Sequence, residues 1–381
     1  MATVRAAPAI DGIDDHSDLL AGRRLGLVLN HGSLDSRLTP TLDRLRAVPR
    51  VTVVRLFAPE HGLAGARADA EPDRDGTDPD SGLPVVALYG PRRVPEPAHF
   101  DGLDAVAFDL PDAGCRAYTY LATLLGLCDT AAAAGVDVVV LDRPNPLGGA
   151  VEGGGVEPDA VDFVACYDLP LRHGLTLGEA ALLYCAERGL PRPTVVRCAG
   201  WRREPVAPGA VWVAPSPNLP SAAAALAYPG TVLFEGTAVS EGRGTTRPFT
   251  LLGAPGLDGR GLARRLANRA PPGLLVRAAT FRPVASKHAG ATCTGVELYI
   301  ADRTAYRALP VALEILAFIR DHHDGVLAPT GFMDSLAGGP ALRRWCAAKQ
   351  APTRDLLDGW TGYQAAYRKR IAPHLLYPEA A

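Results

Sequence analysis

Residues 105–145 read AVAFDLPDAGCRAYTYLATLLGLCDTAAAAGVDVVVLDRPN, and the pattern is that of one strand–helix–strand unit. The runs AVAFDL, ending at Leu110, and VDVVVLD, ending at Asp142, are continuously apolar. Strands that helices cover on both faces need such runs, whereas a half-solvated strand alternates. Between them residues 118–134 have helix composition, and Gly135 stands where a left-handed C-cap belongs. A crossover of this length joins two parallel strands of one sheet. The same kind of run occurs upstream: LGLVLN ends at Asn30, VTVVRLF at Phe57 and VVALY at Tyr89, with a helix expected from about Thr39. The expected fold class is therefore α/β, a Rossmann-like parallel sheet flanked by helices.

Downstream, the loop LGAPGLDGRG at residues 252–261 marks a boundary. Beyond it LLVRAATFRPV and GVELYIAD read as strands, and residues 305–322 as an amphipathic helix despite Pro310 near its start. The expected division is a Rossmann-like catalytic domain at 1–253 and a smaller α+β domain at 262–381 contributing to a cleft. No internal repeat is visible.

Composition narrows the classes of function. The 381 residues, 48% of them hydrophobic and 21% charged, describe a globular chain able to bury a sizeable core. With 39 basic and 41 acidic residues the net charge is -2, which gives no electrostatic reason to expect nucleic acid as a partner. Seven cysteines are scattered, never spaced CxxC, and point to reduced, buried thiols. The amino terminus lacks an apolar core of signal-peptide length, and no later run is long enough to span a membrane. A cytoplasmic location without membrane insertion is the expectation, with non-classical export left open.

Function is read from where the polar residues collect. VTVVRLF leads into Ala58-Pro59-Glu60-His61-Gly62. AVAFDL leads into Pro111-Asp112-Ala113-Gly114-Cys115-Arg116-Ala117-Tyr118, with Asp109 just inside the strand, and VDVVVLD leads into Arg143-Pro144-Asn145-Pro146. Parallel strands put all these clusters on one rim, the place where open α/β sheets hold ligands. Leu171-Arg172-His173-Gly174 and the segment from Phe234 through Glu235, Glu241, Arg243 and Arg247 add to them. Pro59 and Gly62 shape the turn around Glu60, and the apolar run behind it gives the partly desolvated setting of a general acid. His61 reads equally as a turn histidine or a catalytic one. Asp109 and Asp112 serve either as the second carboxylate of an acid/base pair or as helix caps. Arg116, Arg143, Arg243 and Arg247 suit a carboxylate-bearing ligand.

Several signatures are missing. There is no HExxH or other compact metal-ligand spacing, no GxxxxGK[ST] loop, no GxGxxG after a strand and no GxSxG elbow. No metal and no cofactor are expected.

The order of the stretches LFAPEHGL, SGLPVVALYG, FDLPDAGCRAYTY, VLDRPNPLGG, PLRHGLTLGE, PSPNLP and YPGTVLFEGTAVSEGRGTTRPF resembles the exo-β-N-acetylmuramidases of the NamZ type, glycoside hydrolase family 171, formerly a domain of unknown function. The resemblance covers nearly the whole chain. It implies removal of N-acetylmuramic acid from the non-reducing end of peptidoglycan fragments, in a cleft between a Rossmann-like and a smaller domain. It also implies that Glu60 is the catalytic carboxylate, and that the arginines and Asn145 bind the sugar and its lactyl carboxylate. On this reading Glu60 is the general acid, Asp109 or Glu241 the first choice for its partner, and His61 and Asp112 further catalytic candidates. Asn30, Arg116, Tyr118, Arg143, Asn145, His173, Asn218, Glu235, Arg243 and Arg247 are the candidate substrate-binding residues. Two positions depart from the family pattern: Pro111 stands where a glutamine is usual, and His31 where a threonine is common. The partner is then a muramyl sugar or oligosaccharide, with cell-wall recycling as the setting. Two rivals remain at this stage, a non-catalytic muramyl-sugar binding protein and a nucleotide-dependent transferase on the same fold.

Overall fold

The computed structural model describes residues 6–68 and 70–380. Its main sheet contains β1 (Arg24–Val28), β2 (Thr52–Ala58), β3 (Gly76–Thr77), β4 (Pro84–Ala87), β5 (Ala105–Phe108), β6 (Asp137–Leu141) and β7 (Thr194–Val196). These lie in the order β3-β4-β2-β1-β5-β6-β7, and every pairing is parallel except that of β3 with β4. The chain thus starts near the middle and winds outward in both directions, which creates a switch point between the ends of β1 and its neighbours.

Both faces are covered, as the uninterrupted apolar runs require. On one face, α1 (Thr41–Ala47) and a 3-10 segment at Ala9–Leu19 bury Leu25, Leu27, Ala105, Ala107, Val139 and Leu141. On the other, α2 (Tyr120–Ala134) and α3 (Leu177–Arg188) bury Val28, Phe57, Val106, Phe108 and Val140. The helix α2 ends on Gly135 at φ 69°, the left-handed cap expected from the sequence. Thr176 caps α3, and Glu179 returns the bond to complete a capping box.

The second layer begins with α4 (Ala222–Thr231), followed by β8 (Leu251–Ala254), α5 (Gly259–Arg269), β9 (Leu274–Phe281), β10 (Cys293–Ile300) and α6 (Ala308–His322). The three strands form an antiparallel sheet in the order β8-β10-β9. Leu251–Ala254, on the amino-terminal side of the boundary read from the sequence, therefore pairs inside the small sheet. α5 packs on β9 and β10 and α4 on β10, α6 lies against both helices, and their apolar residues join the core that α2 and α3 share. Then come α7 (Phe332–Ala337), α8 (Ala341–Ala347) and α9 (Thr353–Ile371). After α9 the tail returns to the first sheet, where Tyr377 bonds Asp142 at 2.6 Å and Cys198 N at 3.0 Å.

Among the described residues, no helix is long and apolar enough to cross a membrane, and no group of three or more acidic, histidine or cysteine side chains is arranged to hold a metal ion. All seven cysteines are free, six of them buried.

Candidate active site

The end of β2 delivers Glu60 to the carboxyl rim through a tight turn in which His61 and Gly62 both adopt φ 73°. The turn is held by His61 itself, whose Nδ1 lies 2.9 Å from Arg67 O. Glu60 is 8% exposed. Its Oε2 accepts from Thr119 Oγ1 at 2.7 Å and its Oε1 from Ala70 N at 3.3 Å. A carboxylate has acceptors only, so two donors aimed at its two oxygens suit the ionised form. Tyr89 faces the same carboxyl, and burial together with Glu60 pushes its hydroxyl up to about 12.

Next to it Tyr120 ties three loops together. Its hydroxyl accepts from Asn30 Nδ2 at 2.8 Å and lies 3.0 Å from Pro215 O and 3.3 Å from Glu60 O. Asn30 is thereby a positioning residue, with its Oδ1 accepting from Gly32 N. Tyr118 packs edge-on against both Tyr120 and Tyr228, at 4.7 and 6.2 Å between centroids. The two rings form an aromatic floor behind the carboxyl.

The opposing wall comes from the second half of the chain. Glu235 lies in the 3-10 turn Val232–Gly236 that continues α4, with 19% of its side chain exposed and Oε1 2.8 Å from Arg243 Nη2. Burial, and then the charges of Glu241 and Glu60, push the Glu235 carboxyl up to about 8, against a lowering pull from Lys287. Glu241 is the most enclosed of the three, at 1%, and is bracketed by Lys287 Nζ at 2.9 Å and Arg243 Nε at 3.3 Å. Burial lowers Arg243 to about 10, with Glu60 opposing the shift. Three carboxyls and two cations carry one excess negative charge when all are ionised. A single proton held on Glu235 makes the cluster neutral.

Other expected site residues sit elsewhere on the rim. Asp109 is fully buried, accepts from Thr41 Oγ1 and is clamped by two nitrogens of Arg143, which also reaches Leu34 O at 2.9 Å. That closed pair leaves neither charge for a ligand. Arg116 is fully buried, with its guanidinium on Leu169 O and Leu336 O, both at 2.7 Å. Asn145 spends its amide on Leu175 O and Leu147 N, each at 2.8 Å, beneath Gly114 at φ 68°. A Cβ on Gly114 would stand 2.3 Å from Asn145 Oδ1, so this turn demands glycine. Asp112 Oδ1 accepts from Ala113 N at 2.8 Å, while Oδ2 faces His173 Nε2 at 3.6 Å, both side chains being buried. His173 Nδ1 accepts from Leu175 N, which leaves the imidazole proton on Nε2, toward Asp112. Arg247 pairs with Glu297 on the small sheet. Asn218 lies part-exposed in the PSPNLP loop, on a groove that Arg247 also lines.

Of the residues singled out from sequence, Asn30, Glu60, Tyr118, Glu235, Glu241 and Arg243 are brought to one place. Thr119, Tyr120, Tyr89 and Lys287 join them unannounced. Thr119 and Tyr120 lie within the FDLPDAGCRAYTY stretch and were within reach of a sequence reading, whereas Lys287 had no motif around it. At the two departures from the family pattern, His31 Nε2 bonds Ala214 O at 2.7 Å, and Pro111 packs against Gly32.

A Rossmann-like rim that gathers three carboxyls, one of them pushed up to about 8, beside aromatic rings and arginine holds the kinds of group that acid/base work on a glycosidic bond uses. The chain belongs to the exo-β-N-acetylmuramidase NamZ family: the amino-terminal family description matches residues 25–223 and the carboxy-terminal one residues 226–377. It is 38% identical over 342 residues to the peptidoglycan β-N-acetylmuramidase NamZ of Bacillus subtilis strain 168, covering 87% of this chain and 83% of that one. Two crystallised DUF1343-family proteins of Bacteroides fragilis NCTC 9343 share the fold. One has a TM-score of 0.90 and 29% identity over 98% of this chain and 99% of its own. The other has a TM-score of 0.80 and 25% identity over 99% and 100%.

Proposed function

We propose that Glu60 and Glu235 are the acid/base pair with which this chain, a glycoside hydrolase of the muramidase family, releases N-acetylmuramic acid from the non-reducing end of peptidoglycan-derived glycans. The observation that carries this reading is the unlike setting of two carboxyls near enough for the charge of one to act on the other. Glu60 takes donors on both oxygens, while Glu235 is pushed up to about 8 by burial and by flanking carboxylates. Unlike pairs of this kind divide the roles of acid and base.

In this reading Glu60, the general acid expected from sequence, becomes the base, and Glu235, expected there among the substrate-binding residues, takes the place of Asp109 or Glu241 as its partner and becomes the acid. Glu235 gives its proton to the glycosidic oxygen as the bond from the anomeric carbon breaks and the electron pair goes to the leaving sugar. Glu60, as carboxylate, stabilises the oxocarbenium-like centre and takes a proton from the water whose hydroxyl adds to it. Arg243, held between Glu235 and Glu241, is the cation on this wall that the lactyl carboxylate of the muramic acid meets, in exchange for its contact with the protonated Glu235. Glu241 and Lys287 hold the wall in place.

Turnover of the disaccharide N-acetylmuramyl-N-acetylglucosamine by Glu60→Gln and Glu235→Gln tests the assignment. Each is expected to lose about a hundredfold or more. Near wild-type turnover by either removes that residue from the reaction. A binding protein without catalysis would release no N-acetylmuramic acid from any substrate.

A further inference from the structure

The small antiparallel sheet has one face backed by α5 and one face without a helix. Strand alternation puts Arg277, Ala279 and Phe281 on the second face, with Gly295 and Glu297 of β10 opposite Ala279 and Arg277. Gly253 of β8 pairs with Gly295, and the Phe281 ring lies over Gly253. Over these glycines, Ala279, Leu251 and the Phe281 ring floor a groove of about 690 Å³, whose walls are the segment Gly244–Arg247 and residues around Arg282. That volume is in the range of pockets that take small ligands.

The groove is cationic. Arg247, Arg277 and Arg282 line it against one carboxylate, Glu297, which is buried and paired with both Arg247 and Arg277. Arg277 also donates to Tyr299 at 3.0 Å. Arg282 is exposed, and among the described residues it has neither an ion pair nor a hydrogen bond.

The groove is also contiguous with the carboxyl cluster, because two loops belong to both. One carries Glu241 and Arg243 at the cluster and Gly244 through Arg247 in the groove. The other carries Lys287 at the cluster and Arg282 and Val284 in the groove, and Val284 N donates to Gly244 O at 2.8 Å to join the loops.

We propose that the groove is a leaving-group subsite that holds the lactyl carboxylate of the next muramyl residue along the glycan, with Arg282 as its free cation. The inference rests on the hydrolase reading above. In a glycan of alternating N-acetylglucosamine and N-acetylmuramic acid, the sugar on the leaving-group side of the cleaved bond is neutral and the one after it is anionic. A ring on small residues and a planar cation at the rim match a sugar face and a carboxylate.

The test compares KM for the disaccharide N-acetylmuramyl-N-acetylglucosamine, the corresponding tetrasaccharide, and the tetrasaccharide with only its internal lactyl carboxylate methylated. The wild type is expected to bind the tetrasaccharide about tenfold more tightly than either other substrate, the scale of one charge-assisted hydrogen bond at an open site. Arg282→Ala should erase that advantage and leave disaccharide turnover unchanged, while Arg282→Lys restores part of it. One KM for all three substrates, or an equal effect of Arg282→Ala on all of them, overturns the subsite and leaves the hydrolase intact. Equal affinity for a tetrasaccharide whose internal lactyl group is amidated by a stem peptide also overturns it, because the site would then read peptide carboxylates. If the wild type cleaves none of the substrates, both readings fall.

Discussion

Thr119 Oγ1 donates to Glu60 Oε2 at 2.7 Å, across 59 positions of sequence. The bond joins the turn after β2 to the start of α2, so that the orientation of one carboxyl depends on two loops of the same rim. Thr119→Val keeps the shape and removes the donor. kcat should fall about tenfold with KM little changed, and the thermal midpoint should drop by an amount corresponding to about 1 kcal/mol. A rise in KM at constant kcat would show that Thr119 contacts the sugar instead.

The proton on Glu235 gives a pH profile. A donor whose carboxyl titrates at about 8 is active below that pH and loses activity as pH rises through it. kcat/KM of the wild type should therefore show an alkaline limb near pH 8, absent from Glu235→Gln. An aryl muraminide with a good leaving group needs less protonation, so Glu235→Gln should retain far more activity on it than on the disaccharide. Equal losses on both substrates would place Glu235 in binding.

Lys287 acts on the same proton from the opposite side. It lowers the Glu235 carboxyl and is one of two cations on the enclosed Glu241. Lys287→Met should move the alkaline limb to higher pH. It should also destabilise the fold by about 3 kcal/mol, because a buried carboxylate loses half of its pairing. An unmoved limb would separate Lys287 from Glu235.

Much of this was legible in the sequence. The apolar runs around Leu27, Phe57, Phe108 and Val140 announced buried parallel strands, and their ends placed Asn30, Glu60 and Asp112 on one rim. Sequence does not reveal which polar groups on such a rim satisfy each other. Arg116 looked like a ligand cation, yet it is buried against two backbone carbonyls, and Asp109 and Arg143 close on one another. Both outcomes depend on loops that come together only in three dimensions. Lys287 is 46 positions from Glu241, in a loop without pattern, and Tyr377 is 235 positions from Asp142.

That last contact has a consequence for stability. Asp142 is fully buried and is pushed up to about 6 by burial, against the lowering effect of hydrogen bonds from Tyr377, Thr176 and Gly178. Its folded value lies above the unfolded one, so the protonated form favours folding at low pH. This contribution is lost as pH rises through about 6. Tyr377→Phe removes a donor to the charged form. Denaturant melts should show a loss of about 1–3 kcal/mol at pH 7.5 and a smaller loss at pH 5. Equal losses at both values would mean that Asp142 does not change protonation between them.

The central claim is that Glu60 and Glu235 share one reaction across the rim, and the most direct measurement is single-turnover release of N-acetylmuramic acid from the disaccharide by Glu60→Gln, Glu235→Gln and the double variant. Residues acting as a unit are not additive, so the double variant should be about as slow as the worse single one, each at least a hundredfold below wild type. Losses that multiply in the double variant, or a single variant close to wild type, would contradict the account.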